Sequence, residues 1–428
     1  MTLSDRSSLS RREYVRSLVA AGGVSALAAC LDAVDGDGAS GATDVPTGTD
    51  DPDSLPERQH AWNDALSSDD DGNVALPEHH VLVALSLVDH PDETSRETVE
   101  RAFETLERAY EWSNEGLVFT IGYTPSYFER FDDPVPDSVD LPEPAALTDR
   151  ESPTFDEFDA LFHLASDRPS VVLEAEEGLF GECETVNDVS VETGLSDVFE
   201  RLEDDRRTGF VGDGLPAERT DVDGVPDSVP EEAPFFMGFR SGFRESQATE
   251  DRVTITEGPF AGGTTQHVSS MDIQLEVWFD QENHYQRVSK MFSPEHAERE
   301  MVGDHGERLG ATSELSDERI EATEADARER GVVGHAQKAA RARENGDPLL
   351  LRRDFNTVDD GPGLHFVSLQ REISEFVRVR EAMTGADLDV PFANNGIRHY
   401  IFIDRRGNAL IPPRSLRSLP PANPTRRT

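Results

Sequence analysis

The stretch VLVALSLVDHPDETSRETVERAFETLERAYEW, residues 81–112, places an apolar run directly before an amphipathic segment. Residues 81–88 are apolar apart from one serine and predict a β-strand. In residues 95–112 the apolar side chains recur every three or four positions, so that Val99, Phe103 and Leu106 would share one face of a helix. A strand that leads into such a helix predicts the start of a β-α-β unit.

Further strands and a helix follow along the first half of the chain. The predicted elements are the strand GLVFTIGY (116–123), the strand ALFHLAS (160–166), a helix within 169–186 and the strand TGFVGDG (208–214). This β-α-β, β-α-β order predicts a ferredoxin-like α+β sandwich over residues 58–213. The Pro- and Asp-rich segment 214–234 predicts a domain boundary.

The second half repeats the order of elements without a visible sequence repeat. Its predicted elements are a strand at 269–280, the start of a helix at 284–292, a strand at 363–370, a helix at 371–383 and a strand or hairpin at 396–412. We therefore expect a second ferredoxin-like half over residues 235–415. The acidic segment 297–334 reads as a helical, exposed insertion in that half.

The charge of the chain is strongly negative, with 86 acidic against 40 basic residues and a formal net charge of -46. Lys290 and Lys338 are its only lysines, and the other cations are arginines. Acid excess with scarce lysine resembles the composition of proteins from salt-loving archaea, where salt screens the repulsion between carboxylates. The charge argues against nucleic acid as a partner, because phosphates would be repelled.

The N-terminus carries an export pattern. SRREYV (10–15) contains twin arginines, and a short apolar run follows to Cys30, which predicts a twin-arginine signal peptide over residues 1–30. Leu27 to Cys30 resembles a lipobox, which would leave Cys30 lipidated on the outer face of the cytoplasmic membrane. The alternative is cleavage near Cys30 by an ordinary signal peptidase, which would release an extracellular protein. Residues 31–57 predict a disordered acidic linker.

Common catalytic motifs are missing from the sequence. It has no GxSxG, HExxH, P-loop or CxxCH motif, and no GxGxxG follows a strand. The pair His79-His80 would begin a strand, where successive side chains diverge, so we interpret it as structural. Cys183 is the one cysteine left after cleavage, and a small half-buried side chain is a simpler interpretation than a metal ligand.

One segment combines a histidine with a cluster of cations. GHAQKAARARENGDPLLLRRD (334–354) contains His335 and five basic residues, which are Lys338, Arg341, Arg343, Arg352 and Arg353. A neutral imidazole can ligate haem iron, and arginines can bind the haem propionates or stabilise charge during peroxide cleavage. The alternatives are a surface histidine and arginines that only balance the neighbouring acids.

The order of several short motifs resembles the dye-decolourising peroxidase family, over residues 56–415. The similar segments are PERQHAWN (56–63), GLVFTIGYTPSYFERF (116–131), DALFHLASD (159–167), FFMGFRSG (235–242), GHAQKAAR (334–341), LLLRRD (349–354) and GLHFVSLQREISEFV (363–377). The resemblance implies two ferredoxin-like antiparallel-sheet halves of the dimeric α/β barrel type, with one haem b per chain between them.

The resemblance also implies roles for individual residues. His335 would be the axial iron ligand and Glu372 would orient its imidazole. Arg353 would be the distal arginine, with Arg352 as the neighbouring alternative. Phe366 would lie over the haem.

Two departures from the family pattern affect this assignment. The aspartate of the GxxDG motif falls on Ser241, and a hydroxyl lacks the acidity for proton transfer from peroxide. Glu245 could substitute for it, and Asn356 could hold a water molecule. In MVGDHGERLG (301–310), Asp304 follows Gly303 where the family tends to have arginine, which weakens the argument for propionate binding.

Three functions follow from these observations. The first is an exported haem peroxidase that reduces hydrogen peroxide and oxidises an organic donor. The second is a degenerate relative that binds haem or another ligand at the surface without turnover, which the loss of the aspartate at Ser241 favours. The third is a surface protein without a cofactor. The assignment as an enzyme stays open, as does a homo-oligomer.

Overall fold

An 11-stranded, mostly antiparallel β-sheet forms the centre of the protein, whose computed structural model describes residues 44–424. Two four-stranded parts of it, one from each half of the chain, form a first and a second sheet. The strands in chain order are β1 (His79–Leu87), β2 (Val118–Tyr123), β3 (Thr154–Phe155), β4 (Ala160–Ser166), β5 (Thr185–Val186), β6 (Val189–Ser190), β7 (Phe199–Arg201), β8 (Arg207–Phe210), β9 (Thr264–Ile273), β10 (Leu351–Arg352), β11 (Phe355–Thr357), β12 (Gly363–Gln370) and β13 (Ile401–Ile411). The predicted signal peptide and Cys30 lie outside the described residues.

Helices of different lengths connect these strands. The α-helices are α1 (Glu93–Ala109), α2 (Pro125–Phe128), α3 (Pro169–Leu179), α4 (Glu250–Val253), α5 (Leu275–Gln281), α6 (His284–Met291), α7 (Pro294–Glu298), α8 (Asp317–Glu321), α9 (Thr323–Glu329), α10 (His335–Ala340) and α11 (Ile373–Thr384). Single 3-10 turns lie at Pro52–Ser54, Glu203–Asp205, Ala217–Arg219, Arg244–Ser246, Phe392–Asn394 and Arg414–Leu416. Within residues 44–424, no helix has the length and apolar character needed to cross a membrane.

The strand order is ferredoxin-like in both sheets. The first sheet has the order β8-β1-β4-β2, and the second has the order β11-β12-β9-β13. In each sheet the first and third strands along the chain lie in the middle, and helices follow the first and third strands. The predicted α+β class with two ferredoxin-like halves is therefore confirmed.

The two sheets close into one barrel. Strand β11 meets β8 at the pair Asn356 and Phe210, and β13 meets β2 at the pair Leu410 and Tyr123. Apolar side chains such as Phe355 pack inside the ring. Because one face of each strand points into the barrel and the other lies under helices or loops, nearly every residue of β1 is buried.

Helix α1 illustrates how the sequence sets a local element. The side chain of Asp92 accepts a hydrogen bond from the backbone N–H of Ser95 at 2.7 Å and caps the first turn. Val99, Phe103 and Leu106 are buried against the first sheet, as their spacing predicts. The helix is confirmed, although it ends at Ala109 rather than at residue 112.

The predicted strand at 269–280 is wrong in its second half. Strand β9 ends at Ile273, and helix α5 begins at Leu275. Leu275, Trp278 and Phe279 are buried at helical spacing, which is incompatible with a strand whose side chains alternate. Strand β9 instead extends toward the N-terminus to Thr264.

The end of the predicted disordered linker is ordered. Residues 44–57 lie along the end of α1, where the backbone N–H of Thr49 donates to the carbonyl of Glu107 at 2.9 Å. A side chain at Gly48 would come within 1.9 Å of that carbonyl oxygen, so glycine permits the close approach. The composition of the segment did not reveal this packing, which depends on a distant helix.

The acidic segment 297–334 is only partly helical and is not a detached insertion. Val302 and Leu309 belong to the apolar core of the second half. Ser313 and Leu315 line the large cavity described below. The segment is therefore part of the second half, and its exposed acidic side chains lie on the outer surface of that half.

Candidate haem site

A cavity of about 840 Å³ lies between the outer face of the second sheet and the helices that cover it. The sheet contributes residues of β9 to β13, and the helices contribute the inner faces of α10 and α11. Residues 148–152 of the first half close one side. The lining is mostly apolar with a few polar groups, which is typical of a cofactor or small-molecule site.

Alternation along β10 and β11 decides which side chains reach this cavity. Arg352, Asp354 and Asn356 lie on its wall, as does Phe366 from the neighbouring strand β12. Side chains of an extended chain alternate between the two faces, so the residues between them point the other way. Arg352 donates from Nη1 to the hydroxyl of Ser241 at 3.1 Å.

Arg353, predicted as the distal arginine, does not line this cavity, whereas Arg352, the neighbouring alternative, does. Arg353 is 2% exposed and lies behind the strand. Its Nη2 donates to Glu250 Oε1 at 3.1 Å, and its guanidinium lies 4.3 Å from the centre of the Trp62 ring. Through these contacts Arg353 helps to pack the N-terminal segment against the barrel.

His335 occupies the helical side of the cavity, at the first residue of α10. The preceding Gly334 lets the chain pass close to α6, because a side chain there would come within 1.7 Å of the carbonyl oxygen of Phe292. Burial lowers the pKa of His335 to about 3, so the imidazole is neutral. The positive charges of Lys338 and Arg352 act in the same direction.

No carboxylate orients the His335 imidazole in the described part of the chain. Glu372 is exposed at the N-cap position of α11, where its side chain makes no capping hydrogen bond and accepts one from Ser374 Oγ at 3.3 Å. Its predicted role is therefore wrong, because a side chain turned to solvent at the end of β12 does not reach the cavity. Glu245 is also exposed, pairs with Arg244 at 3.3 Å and lies outside the cavity.

Ser241 and Asn356 both lie on the cavity wall. The amide of Asn356, however, bonds three backbone groups: it accepts from Phe236 N–H at 2.9 Å and donates to Phe210 and Pro234 carbonyls. It thereby joins the two sheets, and its Nδ2 has no hydrogen left for a water molecule. We therefore assign Asn356 a structural role.

Seven arginines line the cavity, against three carboxylates. The arginines are Arg150, Arg240, Arg343, Arg352, Arg380, Arg398 and Arg406, and the carboxylates are Glu151, Asp354 and Asp404. Glu151 accepts hydrogen bonds from both Arg380 and Arg406. Arg240 pairs with Asp213 at 2.6 Å.

Three of these arginines have no carboxylate partner among the described residues, namely Arg150, Arg343 and Arg398. Arg343 and Arg398 donate to backbone carbonyls. The guanidinium groups of Arg150 and Arg398 lie over the Phe392 ring, at 4.5 and 5.4 Å from its centre. Unpaired guanidinium groups in a largely apolar cavity favour an anionic ligand. Asp304, the residue that weakened the argument for propionate binding, is exposed and lies outside the cavity.

The cation cluster of 334–354 is therefore divided. Arg343 and Arg352 line the cavity, whereas Lys338 donates to the Asn395 and Met383 carbonyls and Arg341 pairs with Asp387. Two of the five cations of this segment therefore reach the cavity. Helix periodicity in α10 turns Lys338 away from the side that carries Ala336 and Ala339.

Asp354 and His399 are among the titratable groups of the cavity that sequence reasoning missed. Alternation from Arg352 could have revealed Asp354, whose pKa burial raises to about 6. His399 lies against the rings of Phe392 and Tyr400 in the loop before β13, and no local pattern marked it. It is a second imidazole on the cavity wall.

The remaining histidines and Cys183 lie elsewhere. His80 shares a hydrogen bond of 2.9 Å with His163 inside the barrel, and its other nitrogen bonds the Pro77 carbonyl. Cys183 is a free, half-buried thiol against the first core. Among residues 44–424, no group of three or more His, Cys, Asp or Glu side chains could hold a metal ion.

The side chains of the cavity fit haem. His335 presents an imidazole that no side chain of the described residues hydrogen-bonds, and the wall is apolar around it. The unpaired arginines match two carboxylates at the edge of an otherwise apolar ligand. The fit concerns residue chemistry and the volume of the cavity.

The fold is that of the dye-decolorizing peroxidases. The structure is similar to a dye-decolorizing protein from V. cholerae, with a TM-score of 0.52 and 13% identity over 83% of this chain and 98% of that one. A dye-decolorizing peroxidase from Bacteroides thetaiotaomicron VPI-5482 has a TM-score of 0.52 and 14% identity, over 83% and 99% of the two chains. A variant of DypB from Rhodococcus jostii RHA1, in complex with heme, has a TM-score of 0.53 and 13% identity, over 80% and 96%.

By sequence, the chain belongs to the family described as Family of unknown function (DUF7405), whose model matches residues 77–413. No curated protein matches the chain. The similarity to the solved structures, at these identities, is a similarity of fold.

Proposed function

We propose that this protein is a haem-dependent peroxidase of the dye-decolourising type, which reduces hydrogen peroxide and oxidises an organic donor. The observation that carries the proposal is the pairing of an unpartnered imidazole, His335, with Arg352 and Asp354 across one arginine-lined cavity. Haem, when bound, supplies the iron that exchanges electrons between peroxide and the donor.

The residues of the chain have separate tasks in this proposal. His335 would hold the iron, and its imidazole is neutral because burial lowers its pKa. Arg150, Arg343 and Arg398 would supply cations for the propionates. Arg352, held by its hydrogen bond to Ser241, would bind peroxide and stabilise the negative charge that develops on its oxygens. Phe366 limits the space on the sheet side.

Absorption spectroscopy tests the haem site. Protein folded in molar salt and supplied with haem should show a Soret band, and the variant His335→Ala should lose it. The matched control is His399→Ala, which removes the other imidazole of the cavity and should keep the band. Loss of the band in His399→Ala with its retention in His335→Ala would reverse the assignment of the ligand.

Ser241 favours a second candidate function, a surface protein that binds haem or another ligand without turnover. At the position of the GxxDG aspartate, a serine hydroxyl is unsuited to take up the proton of hydrogen peroxide. A Soret band that stays unchanged on addition of peroxide, with no oxidation of dye, would support this second function. A band that shifts on addition of peroxide would support the peroxidase.

We further propose that the protein is exported by the twin-arginine route in a salt-loving archaeon and is anchored by a lipid at Cys30. The support is the sequence of residues 10–30 and the composition of the chain. Mass spectrometry of the mature protein from membranes tests the anchor. A lipid on Cys30 that is absent after Cys30→Ser is expected, and a soluble, unmodified wild-type protein would contradict it.

A further inference from the structure

Asp354 is a buried carboxylate whose contacts differ from those of other buried carboxylates. Its Oδ1 accepts the backbone N–H of Val367 at 3.1 Å, and its Oδ2 lies 3.7 Å from Arg352 Nη1, beyond hydrogen-bond distance. Glu151, by contrast, accepts hydrogen bonds from both Arg380 and Arg406, and Asp159 accepts two from one arginine, Arg130. Oδ2 of Asp354 therefore accepts no hydrogen bond from the described residues, and its ion pair with Arg352 is a loose one.

The position of Asp354 connects the cavity with a second, more polar cleft of about 720 Å³. Ser241, Arg352 and Asp354 line both spaces and form part of the wall between them. A carboxylate that lines both spaces can exchange a proton with either of them. Arg353 and Glu250 lie on the cleft side only.

We propose that Asp354 is the acid–base group of this site and performs the proton transfer for which Ser241 is unsuited. This inference rests on the proposed haem peroxidase and adds the residue that deprotonates peroxide. The O–H bond of hydrogen peroxide breaks with its electron pair left on oxygen, and the proton forms an O–H bond with Oδ2 of Asp354. The guanidinium of Arg352 stabilises the hydroperoxide anion, and the proton returns to solvent through the polar cleft.

The surroundings of Asp354 suit a group that gains and loses a proton. Burial raises its pKa to about 6, while Arg352 acts in the opposite direction. Arg240 and Asp213 lie on the cleft side and pair with each other at 2.6 Å. The carboxylate is therefore protonated below pH ~6 and available as a base above it, close to the range in which acid–base catalysis is efficient.

Cyanide binding tests this role without peroxide turnover, because hydrogen cyanide must also lose its proton to bind. In haem-loaded wild-type protein the rate of the cyanide-induced Soret shift should rise with pH through about 6. In Asp354→Asn, which preserves size, the rise should be absent and the rate about 100-fold lower. The reaction with peroxide should slow by a similar factor. Glu245→Gln is the matched control and should behave as wild type.

A rescue variant separates proton transfer from folding. In the double variant Asp354→Asn, Ser241→Asp, a carboxylate returns to the same wall and should restore much of the cyanide rate. Normal haem uptake with wild-type cyanide kinetics in Asp354→Asn would overturn the role of Asp354 and leave the peroxidase proposal standing. A wild-type protein that takes up no haem would overturn both.

Discussion

At Arg352 and Arg353, two identical neighbours have different surroundings because an extended chain alternates its side chains between two faces. Arg352 reaches the cavity and Ser241, while Arg353 stacks on Trp62 and pairs with Glu250. The same alternation brings Asp354 to the cavity. The assignment of a catalytic residue therefore depends on the parity of its position in the strand.

The two arginines should respond differently to removal. Arg352→Ala should keep haem and lose roughly 100-fold in the rate of reaction with peroxide, because the cation beside the cavity is gone. Rapid-mixing absorption spectroscopy of the Soret band measures that rate. A variant with haem and an undiminished rate would contradict the role of Arg352.

Arg353→Ala should instead destabilise the fold by about 3–5 kcal/mol, because it leaves Glu250 without its buried partner. Denaturant unfolding in molar salt measures the free energy of unfolding. The double variant Arg353→Met, Glu250→Gln removes both charges and serves as the control, which should recover part of the loss. Equal stability of Arg353→Ala and wild type would show that the pair contributes little.

Glu372 provides a test of the surroundings of His335. Because Glu372 is turned to solvent at the start of α11, Glu372→Gln should leave the Soret maximum and haem affinity unchanged. Haem titration followed by absorption measures both. A shifted maximum would mean that the carboxylate contacts His335 in the haem-loaded protein.

At the scale of elements, the cavity is assembled from segments that are distant in the chain. Helix α10 contributes His335, the loop before β13 contributes Arg398, and residues 148–152 of the first half contribute Arg150. Helices α10 and α11 are held together where Lys338 donates to the Met383 carbonyl at 2.7 Å. The two lysines of the chain are both buried, which leaves arginine as the cation of the cavity.

Arg398 should contribute to binding through the charge of the propionates. Arg398→Ala should weaken haem affinity about tenfold, since a hydrogen bond to a charged group contributes about 1.5–3 kcal/mol and solvent replaces part of it. The affinity for haem dimethyl ester, which lacks the two charges, should change little. Titration of both ligands by absorption makes the comparison.

Arg341→Ala is the matched control for that titration, because Arg341 pairs with Asp387 outside the cavity. It should bind haem as wild type does. Equal losses for haem and its dimethyl ester in Arg398→Ala would indicate that Arg398 supports the shape of the loop rather than the propionates.

At the scale of the whole molecule, the net charge of -46 opposes folding through repulsion between carboxylates. Part of the charge is paired inside the fold, as where Asp156 contacts both Arg207 and Arg405. Most acids remain on the surface, where salt shortens the range of repulsion to about 3 Å at 1 M.

The temperature of unfolding should therefore rise strongly between about 0.1 M and 1 M KCl, where the screening length falls from about 10 Å to 3 Å. Differential scanning calorimetry measures it. Sucrose at equal osmolality is the control and should have a smaller effect, because it does not screen charge. An unfolding temperature that is independent of KCl would contradict the interpretation of the acidic surface as a salt adaptation.

The sequence by itself determined the order of elements, because strand and helix periods arise from contacts within a few residues. The two β-α-β-β-α-β units, helix α1 and the class of fold could all be predicted in this way. The order of short motifs also singled out the segment 334–354, of which His335 and Arg352 line the cavity. The boundary between β9 and α5 did not, since its apolar residues suit either element until a neighbouring sheet covers one face.

Only the tertiary structure decided which residues meet in the cavity. In the folded protein Arg352 lines the cavity and Arg353 does not, while Glu372 and Glu245 are exposed. The amide of Asn356 bonds backbone groups. The cavity also contains residues that the sequence did not indicate, namely Asp354, His399, Arg150 and Arg398. The tertiary structure also ordered residues 44–57 against α1. The physical reason is common to all of these: burial and pairing of a charged group depend on partners brought close by folding, and those partners lie tens to hundreds of residues away in the chain.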